Sequence, residues 1–286
     1  MATQQSKEIV VNDAVRALLY EVTVNPKPGL VDPTRSGAHP DMDAFDFIDS
    51  ALCLQPYFEK CFAAGAEFHE EDLRHLFSII RGYGIVAEKE MFKTTSGLNT
   101  HKGAIFSLGI LVTAVGYQQG HGEFLAQELP AIVQKMLVGM VEHDFANTSL
   151  KKEQELTAGE RQFVKYGITG IRGEAAAGFP AVFEYGFPYL CETKGTRNER
   201  LVDTFMKIVS CTQDSNLIKR AGSLDIVAWA QRQAAEFLEL GGSSTRNGSK
   251  KIRELDEIFT TKKLSLGGSA DLLILTIFLG LLTSKL

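Results

Sequence analysis

The sequence contains few cysteines, and none of them has a metal-binding or redox spacing. Only four occur in 286 residues, with no CxxC pair and no arrangement of histidine and cysteine that would suit zinc. This scarcity argues against a disulfide-stabilised secreted domain and against a zinc finger. It predicts free thiols in a reducing cytosol.

The chain also lacks a long apolar stretch and a recognisable targeting segment. Its longest apolar run, LLILTIFLGLL, is too short to span a bilayer and is expected to form a buried helix. The first ten residues, MATQQSKEIV, contain no apolar core of a signal peptide. These features predict a cytoplasmic protein without membrane contact, folded as one large domain over residues 1–286.

An excess of positive charge is missing as well. The formal net charge is -5, whereas a general nucleic-acid binder is normally basic. The composition therefore argues against nucleic acid as a partner. It leaves open a phosphorylated small molecule, because such a ligand needs only a local group of cations.

No convincing run of alternating apolar and polar residues predicts a strand. Apolar residues instead recur at helical spacing along most of the chain, which predicts an all-α fold. One segment, residues 123–145, is predicted to be a single helix, and Pro56 is expected to bend or break another. The glycine- and serine-rich segment 241–251 is predicted to be a mobile loop.

Prolines are scarce, but half of them fall in one connection between two predicted helices. Four of the eight lie in residues 21–47, EVTVNPKPGLVDPTRSGAHPDMDAFDF. Proline fixes φ and reduces the conformational freedom that a loop loses when it becomes ordered. We interpret this proline-rich connection as one wall of a ligand site, to which it presents Lys27, the Gly29 amide, His39 and Asp41.

Four polar loops each place glycine and hydrogen-bonding residues directly before an apolar helix. They are the proline-rich connection, TTSGLNTHKGAIF, YGITGIRGEAAAGFP and LSLGGSADLLILT. A helix N-terminus carries unpaired N–H groups and a partial positive charge, and glycine lets a ligand approach closely, so phosphate binds there readily. Glycine and serine are also ordinary residues at helix starts, which is the structural alternative for each loop alone.

The predicted phosphate-binding groups come from these loops. Lysine supplies a full cation and arginine a planar fork that suits phosphate oxygens, while amides and hydroxyls add neutral donors. The predicted set is Lys27, Gly29, Asn99, Thr100, Lys102, Arg172, Gly267, Gly268 and Ser269. The loop around Lys102 lacks the GxxxxGK[ST] spacing and a preceding strand, so a P-loop is rejected.

Carboxylates in or beside the same loops would repel a polyphosphate unless a divalent cation lay between them, so they predict Mg²⁺. The predicted metal ligands are Asp41, Asp214 and Asp271. For Asp41 and Asp271 the structural alternative is a favourable interaction with a helix dipole. His39 and His101 are candidates for proton transfer or a phosphate contact, with a hydrogen-bonded loop histidine as the alternative.

Taken together, six segments resemble the triphosphoribosyl-dephospho-CoA synthase family of the CitG/MdcB type. They are PKPGLVD, GAHPDM, NTHKGAIFSLG, GIRGEAAAGFP, DSNLIKRAG and GGSADLL, and they follow the family's order from near the start to near the end of the chain. One departure is Ser215, where the family usually has threonine, and this serine keeps the hydroxyl group. Each segment alone is weak, whereas the set is highly specific.

The resemblance implies an all-α fold and one reaction. ATP and 3′-dephospho-CoA give 2′-(5″-triphosphoribosyl)-3′-dephospho-CoA and adenine, so ATP is a ribosyl donor whose triphosphate is retained. The product is the precursor of the prosthetic group on the acyl carrier protein of citrate lyase or malonate decarboxylase. It is expected to pass to a separate holo-acyl-carrier transferase, and homo-oligomerisation is left open.

The implied chemistry suggests roles for the loop residues. The 2′-hydroxyl of dephospho-CoA attacks C1′ of the ATP ribose as adenine leaves, through a transition state with oxocarbenium character. Glu174, beside Arg172, is the first candidate for the base that deprotonates this hydroxyl, and Asp41 is the second. His39 or His101 would protonate or hydrogen-bond the departing adenine.

Two other classes of protein compete with this interpretation. A Mg²⁺-dependent hydrolase of nucleotides or ADP-ribosyl groups would also place acids around a ribose in a helical fold, and it would release ADP or phosphate instead of adenine. A helical scaffold that binds a partner protein would show no ATP-dependent thermal shift. The sequence does not distinguish the citrate lyase pathway from the malonate decarboxylase pathway.

Overall fold

The computed structural model describes residues 6–286, with Ser149 described in its backbone only. Within this range no strand forms, and the one extended pairing is an isolated bridge between Asp32 and Arg35. The prediction of an all-α fold is therefore confirmed. The α-helices are α1 (Lys7–Thr23), α2 (Ala44–Cys53), α3 (Gln55–Ala66), α4 (Leu73–Thr94), α5 (Lys102–His121), α6 (Leu129–Met136), α7 (Met140–Phe145), α8 (Ala158–Tyr166), α9 (Gly170–Ala176), α10 (Phe187–Glu192), α11 (Arg197–Cys211), α12 (Ser215–Ala221), α13 (Asp225–Glu239), α14 (Arg246–Thr261) and α15 (Gly267–Leu282).

Two helices form the centre of the core. α5 is buried on nearly all sides, as its continuous apolar sequence predicts, and α15 is buried along almost its whole length. They pack against each other, with α3 and α4 also against α5 and with α1 and α11 against α15. One cluster of buried apolar side chains extends from Val10 to Leu282. The N-termini of α5 and α15 are therefore held in place by the core.

Helices α3 and α5 pack with their backbones almost in contact. A Cβ atom on Gly65 would lie 2.1 Å from the carbonyl oxygen of Thr113, and one on Gly116 would lie 2.3 Å from that of Phe62. Because Cβ atoms never approach backbone oxygens so closely, this face of the core depends on glycine. The close contact fixes the position of α5 and of the loop that precedes it.

One predicted helix break is confirmed, and one predicted helix is divided in two. The helix predicted to break at Pro56 does so, because α2 ends at Cys53 and α3 begins at Gln55. The prediction of one helix over residues 123–145 is wrong. Gly139 adopts a left-handed conformation with φ of 75° between α6 and α7, and a right-handed helix cannot continue through it.

The prediction of a mobile loop over residues 241–251 is also wrong. Residues 242–244 form a short 3₁₀ turn, and α14 begins directly after Thr245. The Thr245 hydroxyl accepts a hydrogen bond of 3.0 Å from the Gly248 amide, which caps the helix. The serine- and glycine-rich composition reflects this capped helix start.

The proline-rich connection lies between α1 and α2 and is anchored at two points. Near its beginning, the Gly29 amide donates to Asp256 of α14 at 3.2 Å, and Arg35 forms an ion pair with the same carboxylate at 2.6 Å. Near its end, the His39 ring is hydrogen-bonded to the Ser265 hydroxyl at 3.0 Å, just before α15. The connection therefore holds its later residues against the start of α15.

The apolar run at the C-terminal end forms most of α15 and lies in the core, as predicted. Across residues 6–286, no helix combines the length and the apolar content that crossing a membrane requires. The four cysteines are free, as the sequence predicts: Cys53, Cys61, Cys191 and Cys211.

Candidate active site

Two adjoining cavities lie where the N-termini of α5 and α15 meet. The larger has a volume of ≈ 700 Å³ and is lined mainly by residues 166–174, 180–185 and 211–216. The smaller has a volume of ≈ 290 Å³ and is lined by the proline-rich connection, the starts of α5 and α15, and α12. All four predicted polar loops contribute to these walls. Among the described residues, five line both cavities and are called the junction here: Asn99, Lys102, Gly103, Asn216 and Asp271.

Asp271 is the acid at this junction. It lies in the first turns of α15, and its carboxyl group has no hydrogen-bond or ion-pair partner in the part of the chain that the structure describes. Burial raises its pKa well above the usual range, and the nearby carboxylates of Glu21 and Asp214 raise it further. An unpartnered carboxyl group with a raised pKa is suited to accept a proton at this junction.

Asp214 differs from Asp271 because both of its carboxylate oxygens already accept hydrogen bonds. One oxygen accepts from the amides of Asn216 and Leu217 at 2.8 and 3.0 Å, which caps α12. The other accepts from the amide and the hydroxyl of Ser269 at 2.6 and 2.9 Å. Asp214 and Ser269 thus join α12 to the start of α15. Both line the larger cavity, but they offer little free binding capacity to a ligand or metal ion.

His101 is a buried, neutral residue of the smaller cavity. The Thr100 hydroxyl donates to the Ser50 hydroxyl at 2.7 Å, and Ser50 in turn lies 2.7 Å from His101 Nδ1. We assign the Ser50 hydroxyl as the donor to Nδ1, which places the imidazole proton on Nε2. Nε2 has no partner among the described residues. Burial, with the charge of Lys27 nearby, lowers the pKa of His101 to about 3, so the ring donates a hydrogen bond without acting as an imidazolium acid.

His39 also lines the smaller cavity and connects two of its walls. An arginine has no acceptor, so the contact of 3.2 Å from Arg220 makes His39 Nδ1 the acceptor. The Nε2–H then donates to Ser265 at 3.0 Å. Burial and the charge of Arg220 lower the pKa of His39, which favours this neutral form. Asp41 lies nearby, exposed at the edge of the same cavity.

Glu174 lines the larger cavity, away from the junction. Its carboxylate accepts a hydrogen bond of 2.7 Å from the Ala181 amide. Burial raises the pKa of Glu174, with a contribution from the charge of Glu184, which lines the same cavity. Glu174 can contact a ligand in the larger cavity, whereas Asp271 lies at the junction of the two cavities.

Arg172 lies on α9 and is held by contacts outside the larger and the smaller cavity. Its Nε donates to Asp144 at 2.8 Å, and its guanidinium lies 5.8 Å from the ring centre of Phe145. It lines a third cavity of ≈ 300 Å³ and neither of the first two. The structure therefore separates Arg172 from Glu174, which the sequence suggested as neighbours in one phosphate site.

Lys27 and Gly29 lie on the inner side of the proline-rich connection. Lys27 is 1% exposed, and its ammonium group forms an ion pair with Glu21 and also donates to the Glu21 carbonyl oxygen. The Gly29 amide is already bonded to Asp256. Neither residue lines the larger or the smaller cavity. Both groups are therefore occupied by contacts within the protein, and their role in phosphate binding stays a prediction.

The remaining predicted phosphate-binding residues are distributed around the junction. Asn99 is exposed there, and Thr100 lines the smaller cavity only. Lys102 lines both cavities and forms an ion pair of 2.5 Å with Glu88. In the first turn of α15, Gly267 lines the smaller cavity and Gly268 the larger one.

No resident metal site is evident in residues 6–286, because no three His, Cys, Asp or Glu side chains are arranged to hold an ion. The three predicted ligands are not brought together as a set. Asp41 and Asp271 both line the smaller cavity, whereas Asp214 is fully hydrogen-bonded in the wall of the larger one. A Mg²⁺ ion held mainly by substrate phosphates needs only one or two carboxylates, which Asp41 and Asp271 can supply.

The structure adds residues to the site that the sequence did not single out. Lys219 and Arg220 line the smaller cavity, and Asn216 lies at the junction. All three belong to the segment DSNLIKRAG. An acid at the start of a helix and cations at its end are common, because they cap the N-terminus and interact favourably with the helix dipole. The pattern therefore carried no separate signal for a ligand.

The chain is similar along nearly its whole length to proteins of one enzyme family. The family model that matches is CitG, described as ATP:dephospho-CoA triphosphoribosyl transferase, and it covers residues 8–286. A probable 2-(5′′-triphosphoribosyl)-3′-dephosphocoenzyme-A synthase of Lactiplantibacillus plantarum is 55% identical over 279 residues, which are 98% of this chain and 99% of that protein.

Two further relatives extend this similarity. Protein CitXG of Leuconostoc mesenteroides subsp. cremoris is 48% identical over 99% of this chain and 61% of its own length. A probable 2-(5′′-triphosphoribosyl)-3′-dephosphocoenzyme-A synthase of Streptococcus equi subsp. equi is 37% identical over 96% of each chain. No solved structure matches this chain. With the family model matched from residue 8 to the last residue, the chain belongs to the CitG family of ATP:dephospho-CoA triphosphoribosyl transferases.

Proposed function

We propose that this chain transfers the 5-triphosphoribosyl group of ATP to the 2′-hydroxyl of 3′-dephospho-CoA and releases adenine. Membership of the family supports the two substrates and the type of reaction. The observation that carries the proposal at the site is that two cavities share a wall containing Asp271. A reaction that joins two nucleotides needs both reacting ends at one point, and adjoining cavities provide this arrangement.

In the proposed reaction, the 2′-oxygen of dephospho-CoA forms a bond to C1′ of the ATP ribose while the bond from C1′ to adenine breaks. The proton of the 2′-hydroxyl passes to a base, and adenine takes up one proton from solvent as it departs. Positive charge develops on the ribose in the transition state. A carboxylate at the junction can take the hydroxyl proton and stabilise that charge, so Asp271 is the proposed base and Glu174 the second candidate.

The two histidines suit hydrogen bonding better than proton donation. The pKa of His101 is lowered to about 3, and its Nε2–H has no partner among the described residues. A neutral donor of this kind can stabilise charge that develops on adenine or on an oxygen of the ribose. His39 holds Arg220 and Ser265 in place, which makes it a positioning residue of the smaller cavity.

Magnesium belongs to the proposal as an ion that arrives with ATP. The triphosphate supplies most of its ligands, and Asp41 or Asp271 can complete its coordination. When bound, the ion would neutralise phosphate charge. The proposed steps at the 2′-hydroxyl use Asp271 and do not pass through the metal.

The proposed setting is the cytoplasm, with the product handed to a holo-acyl-carrier transferase. That enzyme would attach the group to the acyl carrier protein of citrate lyase or of malonate decarboxylase. A homo-oligomer is compatible with this proposal and is not required by it, since both cavities are built from one chain.

Chromatography of the reaction products tests the proposed function. The chain would be incubated with Mg²⁺ and ATP, with and without 3′-dephospho-CoA. Adenine that appears only with both substrates supports the transfer. Release of ADP or phosphate would favour the competing hydrolase, and adenine formed equally without dephospho-CoA would favour a nucleosidase.

A further inference from the structure

The two cavities differ in the charge of their walls. The larger contains four acids and one cation, which are Glu174, Glu184, Asp214, Asp271 and Lys102. The smaller contains three cations, Lys102, Lys219 and Arg220, beside its own acids. Two substrates with different charge distributions would therefore not be equivalent in these cavities.

The two cations that belong only to the smaller cavity have little compensating charge. Lys219 forms no hydrogen bond or ion pair with any of residues 6–286, and its side chain is exposed. Among the described residues, the one hydrogen bond of the Arg220 side chain is to His39 at 3.2 Å, and His39 accepts it in its neutral form. Most donors of both side chains are thus available to an anion.

The acids of the smaller cavity weaken this positive charge less than their number suggests. Glu21 is 4% exposed and already forms an ion pair with Lys27. Asp271 lies at the junction with the larger cavity, and Asp41 is exposed at the edge. Asp41 can approach a divalent ion on a bound phosphate chain.

Two neutral donors point to the same ligand. Gly267, in the first turn of α15, lines the smaller cavity, where a helix N-terminus favours an anion. His101 lines it as well, at 2% exposure, with Nε2 unpartnered among the described residues. A buried polar atom without a partner indicates a missing ligand or water.

We propose, on the basis of the proposed function, that the smaller cavity binds the triphosphate of ATP through Lys219 and Arg220. The larger cavity then receives the adenosine end of 3′-dephospho-CoA, which carries the 2′-hydroxyl. Arginine and lysine on adjacent positions can contact different phosphate groups of one chain, and an arginine fork binds two oxygens at once. The ribose of ATP lies at the junction in this arrangement, with its C1′ facing the larger cavity across Asp271.

Direct binding of inorganic tripolyphosphate, measured by calorimetry, tests this assignment without turnover. Lys219→Ala and Arg220→Ala should each weaken binding about tenfold or more, because each removes charge-assisted hydrogen bonds. Both side chains are exposed, and unchanged thermal unfolding would show that the variants are folded. Arg232→Ala is the matched control, since Arg232 is exposed on α13 and lines neither cavity.

Steady-state kinetics complete the test. Both variants should raise KM for ATP and leave KM for dephospho-CoA within about twofold. Unchanged tripolyphosphate affinity in both variants, or no tripolyphosphate binding by the wild-type chain, would overturn the assignment. If the wild-type chain releases ADP instead of adenine while the variants still lose tripolyphosphate affinity, the proposed function fails and the triphosphate site stands.

Discussion

The carboxyl group of Asp271 occupies the space where a side chain at position 103 would begin. A Cβ atom on Gly103 would lie 1.9 Å from one carboxyl oxygen of Asp271 and 2.9 Å from the other. Glycine at the start of α5 therefore lets α15 bring its acid to the junction of the two cavities. This contact links the packing of the two central helices to the chemistry proposed for the site.

Gly103→Ala should reduce activity without unfolding the chain. Gly103 is the second residue of α5, and alanine favours a helix over glycine by about 1 kcal/mol. The added methyl group must displace the Asp271 carboxyl group, and a displacement of about 1 Å can lower the rate about 100-fold. We expect kcat to fall by that order while the circular dichroism of the variant stays native.

Gly82→Ala provides the control for this prediction. Gly82 lies within α4, and a Cβ atom there would meet nothing within 4 Å. Its activity should equal that of the wild-type chain. A Gly103→Ala variant with normal kcat would show that the position of Asp271 does not matter for turnover.

Asp271→Asn should lower kcat by about 10²–10⁴-fold, because it removes the proposed base and keeps its shape. Burial raises the pKa of Asp271. As the pH is lowered, wild-type turnover should therefore begin to fall at pH values above the ordinary pKa range of aspartate. The residual turnover of the variant should lack this decrease. The folded chain also binds that proton more tightly than the unfolded chain, so stability is lost as pH rises, and Asp271→Asn should raise Tm at neutral pH.

Glu174→Gln separates the two candidate bases. Glutamine keeps an oxygen for the Ala181 amide, so the local structure should persist. We expect a loss of roughly tenfold or less in kcat and an unchanged pH profile. The opposite pattern, with Glu174→Gln severely impaired and Asp271→Asn active, would assign the base role to Glu174.

The buried pair Lys27–Glu21 should contribute to stability rather than to phosphate affinity. Lys27→Met leaves the Glu21 carboxylate buried without its partner, which should lower the free energy of unfolding by about 3–5 kcal/mol. The double variant Lys27→Met/Glu21→Gln should recover much of this loss in urea denaturation. The exposed pair Lys250–Glu254 is the control, where Lys250→Ala should cost less than about 1 kcal/mol. A Lys27→Met variant of wild-type stability would contradict this account.

Removal of Mg²⁺ should affect turnover but not the stability of the nucleotide-free chain. No three suitable ligands gather in residues 6–286 to hold the ion alone. EDTA should abolish turnover, because ATP would lose its Mg²⁺. It should leave the Tm of the nucleotide-free chain unchanged, because residues 6–286 gather no ligand set of their own. A drop in Tm on adding EDTA to the nucleotide-free chain would indicate a resident metal site instead.

Helical periodicity in the sequence predicts the fold well where a helix is long and strongly patterned. The apolar residues of α5 and α15 identify the two buried helices, and Pro56 identifies the break between α2 and α3. The errors arise from local backbone geometry. The left-handed Gly139 ends a helix that periodicity continues, and the cap at Thr245 starts a helix where composition suggests a loop.

The sequence predicts which loops supply residues to the walls of the two cavities, but it does not predict the role of each side chain. Sequence shows which loops precede helices, but it does not show which side of a loop faces a cavity. Lys27 is turned into the core by its ion pair with Glu21, and Arg172 is drawn away by Asp144. Lys219 and Arg220 resemble ordinary cations at a helix end until the fold places them in the smaller cavity.

Mass spectrometry of the product tests the central claim most directly. The wild-type chain would be incubated with Mg²⁺, dephospho-CoA and ATP that carries ¹³C in its ribose. We predict a product that contains the labelled ribose and all three phosphates attached to dephospho-CoA, with free unlabelled adenine in equal amount. Labelled ADP or labelled free ribose triphosphate, with unmodified dephospho-CoA, would contradict the account.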